Sequence, residues 1–435
     1  MTFETTKLAN GVVIATSEMP HMQSVCTGFW ALVGARHEPA RHNGIAHFVE
    51  HVLFKGTGTR SPSDILTEVE GAGGTVNAFT EQDHTCYYAK VAADKLPEVT
   101  DVLADMYLRS VFPMAEVERE REVIGEEIVM YAEQPGQHVE DLLSAAAWPG
   151  SPLGRPITGT AASLAHTGRD DLLHFVRANY CGKNTLVTVA GRVTHGDVVD
   201  LLEPLLASLP GGARPRWRKF VPGGHGGGVR VGGDCRDIEQ AHLYFGFHAP
   251  GRSVAERFVL KILSVLLGEN MSSRLFQSLR EERGLCYSVQ SDLTLLQETG
   301  LFSVYAGVDG VDAEGALKLA GRELRRIARR PPSKKELQKA IDYTVGMLRL
   351  SLESTTQQMF WLGESLIAHG RVCGPEVVCG RHPGGSHIVG GPPVPSGESR
   401  AGGGRAVPGS RGASLGTRLR SRVKLLSVAR PVRSP

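Results

Sequence analysis

Residues 47–51 read His-Phe-Val-Glu-His. On a helix, positions i, i+3 and i+4 share one face, so His47, Glu50 and His51 would project together. Two imidazoles one turn apart can hold a borderline-soft divalent cation such as zinc. A carboxylate beside them can take a proton from a metal-bound water. Phe48, Val49 and Val52 point elsewhere and can bury the helix. The order is HxxEH, the reverse of HExxH. Five residues can also match by chance, and paired histidines on a helix also occur as partly buried surface groups. The pentapeptide alone leaves both readings open.

A catalytic metal site needs a third protein ligand and an open fourth position. The stretch from Glu116 to Ile128 is rich in carboxylates. Most of them read as a solvated helix face with i,i+4 ion pairs. Val123, Ile124 and Ile128 mark the buried stripe. Glu120, Glu127 and Tyr131 fall at i, i+7 and i+11, on one face beside that stripe, and one of these carboxylates can reach inward.

The elements that must position these groups follow from periodicity. Strand patterns are predicted at 11–16 and 24–33, and helical spacing at 44–55. After glycines at 71–74 come strands at 75–80 and 85–92. Helices are predicted at 95–110, 115–133, 137–147 and 168–179, a strand at 185–191 and a helix at 195–208. Residues 210–228 are Gly/Pro-rich and read as a linker. Beyond it the pattern predicts a strand at 240–248, helices at 254–268 and 273–283, strands at 286–294 and 300–307, and helices at 312–328 and 333–368. The same coarse order occurs twice. The expected fold is α+β, with two tandem homologous domains, each a mostly antiparallel sheet packed with helices. The boundaries are 1–209 for the metal-binding domain, 210–228 for the linker and 229–371 for the second domain. In residues 372–435 Gly, Pro, Ser and Arg replace apolar periodicity, and that tail is predicted to be disordered.

The 435 residues suit two domains. Hydrophobic residues make up 41% of the chain, and no run approaches the roughly 20 apolar residues of a membrane span. The N-terminus has no secretory pattern. The seven cysteines are scattered without a CxxC pair, which favours free thiols in a reducing cytoplasm. The net charge of +2 is misleading, because 11 of the 48 Lys and Arg lie from Arg371 onward, against 2 of the 46 Asp and Glu. The body therefore carries 37 basic and 44 acidic residues, which argues against a nucleic-acid-binding core. The densest basic cluster, Arg418, Arg420, Arg422 and Lys424, has no interleaved aromatic residue.

Taken together, His47–His51 and Glu120–Ile128 resemble the pitrilysin and mitochondrial processing peptidase family of zinc peptidases. Glu127 follows His51 by 76 positions, the spacing of that family's third ligand. The resemblance implies that His47, His51 and Glu127 bind one zinc ion per chain. It implies Glu50 as general base and Glu120 as a supporting acid, with a hydrogen bond to a ligand histidine as its expected role. Residues 73–80 resemble the family's edge strand, which pairs with substrate backbone and places Asn77 near the scissile bond. The alternative for Asn77 is a turn or strand-end residue. Residues 152–160 resemble a family loop without assigned chemistry. Residues 272–289 are similar to the second-domain signature, in which Arg280 and Tyr287 would stabilise the substrate carbonyl and oxyanion. Read singly, they would be an arginine paired with Glu281 or Glu282 and a core tyrosine. The second half lacks HxxEH, so it is expected to be a metal-free duplicate.

The implied activity is zinc-dependent endopeptidase action on extended or unfolded peptides, with presequence or peptide processing among the candidate roles. The alternative is a non-catalytic peptide-binding subunit. The family's four-domain chamber would require a second chain, a homodimer or a related subunit. The tail departs from the family, whose members continue with a further helix and strand, and an altered reading frame near Val372 would account for it. The second domain is then expected to be incomplete.

Overall fold

The computed structural model describes residues 2–221, 229–252, 256–373 and 430–431. Six strands form the first sheet: β1 (Thr2–Lys7), β2 (Val13–Glu18), β3 (Ser24–Ala31), β4 (Thr75–Thr80), β5 (Thr85–Ala92) and β6 (Thr185–Gly191). Their order is β1-β2-β6-β3-β5-β4, antiparallel except for the β2–β6 pair. The helices of the first half are α1 (Ile45–Leu53), α2 (Pro62–Gly71), α3 (Leu96–Arg109), α4 (Met114–Glu133), α5 (Pro135–Ala147), α6 (Ala161–His166), α7 (Arg169–Asn179) and α8 (His195–Leu206).

Alternation along the central strands decides the layers. Val25, Phe29, Val187 and Val189 point into the main core, against Phe48, Val49 and Val52 of α1 and Leu103 and Met106 of α3. Cys26, Trp30, Leu186 and Ala190 point to the opposite face. A sheet with two apolar faces needs cover on both.

The second half holds β7 (Cys235–Arg236), β8 (Gln240–Pro250), α9 (Glu256–Leu267), β9 (Cys286–Leu295), β10 (Thr299–Asp309), α10 (Ala313–Arg329), α11 (Lys334–Ser351) and α12 (Thr355–His369). Its antiparallel sheet has the order β8-β10-β9, the same arrangement as β3-β5-β4. Residues 273–283, predicted as a helix, contain a π-helical segment at Phe276–Glu281. From residue 374 the predicted disorder lies outside the described residues, apart from Arg430–Pro431, which pair in parallel with β7. Linker residues 222–228 lie outside them as well.

The helix predicted over 333–368 is two helices, separated at Leu352–Ser354. Leu352 is buried, and the turn sends α12 back to the first sheet. There Met359 and Leu362 cover Trp30, Cys26 and Leu186. Helix α5 makes the reciprocal crossing. Its Val139 and Leu143 pack with Tyr244, Leu296 and Leu301 of the second half. Each half thus lends one helix to the other, and the chain boundary at 209–229 is not the packing boundary.

Charged groups are buried where the halves meet. Asp83, in the β4–β5 turn, accepts from Arg36 at 2.6 Å and from Arg252 of the second half at 2.5 Å. Arg252 also reaches Glu364 of α12 at 3.0 Å, and Arg36 pairs with Glu298. Buried charges persist only when paired in this way.

Candidate metal centre

Helix α1 is buried along Ile45, Ala46, Phe48, Val49 and Val52, which fixes its rotation about its own axis. The remaining face carries His47, Glu50 and His51 into a cavity of about 530 Å³. Helix α4 lies across α1 and brings Glu127 to the same point. Glu127 Oε2 is 3.6 Å from His47 Nε2 and 3.5 Å from His51 Nε2. The three donor atoms lie within 4.8 Å of one another. Tetrahedral donors at ~2.0–2.2 Å from zinc lie ~3.3–3.6 Å apart, so two nitrogens and one carboxylate oxygen fit that ion with little movement. Among the described residues this is the one cluster of three His, Cys, Asp or Glu groups with that convergence.

Glu120, two turns earlier on α4, is buried and lies 3.0 Å from His51 Nδ1. Its other oxygen accepts from Lys55 Nζ at 2.7 Å. The carboxylate therefore holds the His51 ring with Nε2 toward Glu127. Lys55 was not singled out from the sequence, although it follows His51 by four positions, just past the end of α1. Thr80, also not anticipated, closes β4 and donates to Glu50 Oε2 at 2.6 Å.

The electrostatics suit a cation site. Burial, reinforced by neighbouring His51, lowers the His47 pKa to about 4, so His47 is neutral and able to ligate near pH 7. Burial acts in the same direction on His51, but hydrogen bonds with Glu127 and Glu120 outweigh it and raise the pKa. The bond with His51 lowers the pKa of Glu127. Burial raises that of Glu50, opposed in part by the Thr80 hydroxyl and His51. Tyr131, the third member of the face predicted on α4, lines the cavity and bonds to Glu127.

Asn77 is exposed on β4, and its Oδ1 accepts from the Ala78 amide at 2.7 Å. β4 is the last strand of its sheet, and its next residues, Ala78, Phe79 and Thr80, line the cavity. Arg155, Pro156, Ile157 and Thr158 of the loop without assigned chemistry form another wall. Arg280 and Tyr287 are not brought to the centre. The Arg280 guanidinium stacks over the Phe276 and Tyr287 rings at 4.9 and 5.4 Å. Tyr287 is 76% exposed, and neither residue lines the cavity.

Comparison with known proteins agrees with this geometry. Residues 13–161 match the family described as Insulinase (Peptidase family M16), and residues 167–343 match the Peptidase M16 inactive domain. The chain is 37% identical over 367 residues to an uncharacterized zinc protease of Mycobacterium tuberculosis, covering 84% of each. It is 35% identical over 362 residues to the uncharacterized zinc protease YmxG of Bacillus subtilis, covering 83% of this chain and 87% of that one. A solved protease from Helicobacter pylori shares the fold with a TM-score of 0.78 at 23% identity, over 84% of this chain and 89% of its own. These matches extend over both halves, and the chain belongs to peptidase family M16.

Proposed function

We propose that this chain is a zinc endopeptidase acting on extended or unfolded peptides, with one zinc ion held by His47, His51 and Glu127. The observation that carries the reading is the convergence of His47 Nε2, His51 Nε2 and Glu127 Oε2 in one cavity with Glu50, beside a sheet edge. Bound zinc would polarise a peptide carbonyl and make water more acidic. Glu50 accepts the proton of the attacking water and delivers it to the amine nitrogen as the C–N bond breaks. Burial raises its pKa, which makes it a stronger proton acceptor than an exposed carboxylate. Thr80 occupies Oε2 and leaves Oε1 for the transfer. The outer edge of β4 offers main-chain N–H and C=O groups to an extended substrate and accepts varied side chains, because the backbone is what is held. A cavity of about 530 Å³ has no room for a folded domain.

Glu50→Gln is expected to keep stoichiometric zinc and lose at least about 100-fold in kcat on internally quenched peptides. Loss of zinc in that variant would contradict the role given to Glu50. Wild type that binds zinc and cleaves no peptide would favour the non-catalytic subunit instead.

The chamber is completed by a second copy in this reading, with Arg280 and Tyr287 acting across a homodimer. Both are exposed and neither lines the cavity of its own chain, which supports it. Co-expressed Glu50→Gln and Arg280→Ala chains would then recover about a quarter of wild-type activity, since random pairing leaves one site in four intact. Activity no higher than that of either variant alone would place Arg280 outside the mechanism or within its own chain's site. Six described cysteines are free, in keeping with a reducing cytoplasm. Among the described residues no helix is long and apolar enough to cross a membrane.

A further inference from the structure

The two histidines of the centre are held by different means. His51 has Glu120 on its Nδ1. His47 is almost fully buried, and its Nδ1 has no hydrogen-bond partner. A ligand imidazole ordinarily has its second nitrogen tied down, which fixes the ring. For His47 the restraint has to come from the backbone that carries it.

His47 is the third residue of α1, in a turn whose first amides have no intrahelical acceptor. The N-cap is Gly44, which has no side chain to cap with. It adopts φ +91°, and an added Cβ would stand 2.6 Å from the Thr158 carbonyl oxygen. Glu38 takes over the capping from six residues upstream. Its Oε2 accepts from the Gly44 amide at 2.7 Å and from Asn43 Nδ2 at 3.0 Å, and its Oε1 accepts from the Ala46 amide at 2.9 Å. Glu38 is itself buried, at 3% exposure. The same group reaches the cavity wall, because Asn43 Nδ2 also donates to the Pro156 carbonyl at 3.0 Å and Arg155 donates to the Glu38 carbonyl at 3.3 Å.

We propose that Glu38 is the positioning residue for His47: its carboxylate anchors the first turn of α1 and replaces the orienting hydrogen bond that His47 Nδ1 lacks. The inference rests on the reading of His47 as a metal ligand. Three N–H donors converge on two oxygens, and the carboxylate stands at the positive end of the helix dipole, so the ionised form is the one that anchors. Burial alone would disfavour that charge and pushes the pKa up to about 7, with the three donors and Arg155 opposing it. Without the anchor the first turn would fray and carry His47 away, while His51, a turn further on and tied to Glu120, would stay.

The test is zinc affinity by competition with a chromophoric chelator, together with a ¹⁵N-histidine spectrum of the zinc-loaded protein. Glu38→Gln presents an amide donor where the carboxylate accepts. It is expected to weaken zinc binding about 10- to 100-fold. In its spectrum the His47 signal leaves the metal-bound position and that of His51 stays. Glu120→Gln should show the opposite pattern. Wild-type affinity in Glu38→Gln, with both signals in place, would overturn the proposal. His47→Ala separates the two levels of the argument. If it binds zinc as wild type does, the metal-ligand reading fails and this inference with it. If it loses zinc and Glu38→Gln does not, only the inference fails. Should Glu38→Gln not fold, hydrogen exchange in the unmutated protein decides. The Gly44 and Ala46 amides should exchange as slowly as that of Phe48, which bonds within the helix, and free-amide rates would overturn the anchor.

Discussion

Glu120 shows how a single side chain acts through another. It contacts His51 with one oxygen and Lys55 with the other, so the ammonium keeps the carboxylate aimed. Glu120→Gln is expected to weaken zinc binding about 10- to 100-fold, with the fold intact, as read by chelator competition and circular dichroism. Periodicity placed Glu120 and Glu127 on one face of α4 without choosing between them, and it was the family resemblance that pointed to Glu127. That choice depends on where α4 crosses α1. Thr80 carried no signal at all, since a threonine at a strand end is ordinary until a carboxylate stands 2.6 Å away.

At the scale of the element, the α1 exit loop is fastened to α3 by a buried carboxylate. Asp105 accepts from Thr57 at 2.6 Å, Thr59 at 3.0 Å, Arg60 at 2.9 Å and Arg109 at 2.5 Å. Burial would raise its pKa, but these donors outweigh burial and hold it at about 2. The folded value lies below the unfolded one, so the stabilisation is present above about pH 4 and is lost as pH falls through about 2. Asp105→Asn is expected to cost about 3 kcal/mol at pH 7, because two arginines then face a neutral amide. Thermal melts of wild type and variant should converge as pH is lowered toward 2, and a gap that widens on acidification would contradict the sign. The strands β2 to β6 and helices α1, α3, α4 and α5 were legible from their apolar patterning, helped at most of them by a glycine or proline near one end. The predictions did not include β1, α2 or α6: β1 is largely exposed and has no apolar alternation, and α6 has only six residues.

At the scale of the molecule, the exchange of α5 and α12 ties the halves together more firmly than a linker would. The contact depends on small residues. A Cβ on Gly363 would stand 2.3 Å from Trp30 Cζ2, closer than any real packing allows. Gly363→Ala gains about 1 kcal/mol of helix propensity, yet it must lift α12 from the sheet. The expected net loss is about 1–2 kcal/mol, with a lower melting temperature and a red shift of tryptophan emission as Trp30 is wetted. An unchanged or raised melting temperature would show that α12 contributes little to covering the sheet.

The sequence by itself determined that His47, Glu50 and His51 share one face, because they sit within one helical turn and local geometry alone aligns them. It also determined the duplicated order of strands and helices, which follows from hydrophobic period. Tertiary structure decided what periodicity cannot encode. It selected Glu127 as the carboxylate that meets both histidines, gave Thr80 to Glu50, and turned one predicted helix into two so that α12 could cover the far face of the first sheet. Each of these joins residues from separate elements, up to hundreds of positions apart, and depends on how helices and sheets pack, which local periodicity does not encode.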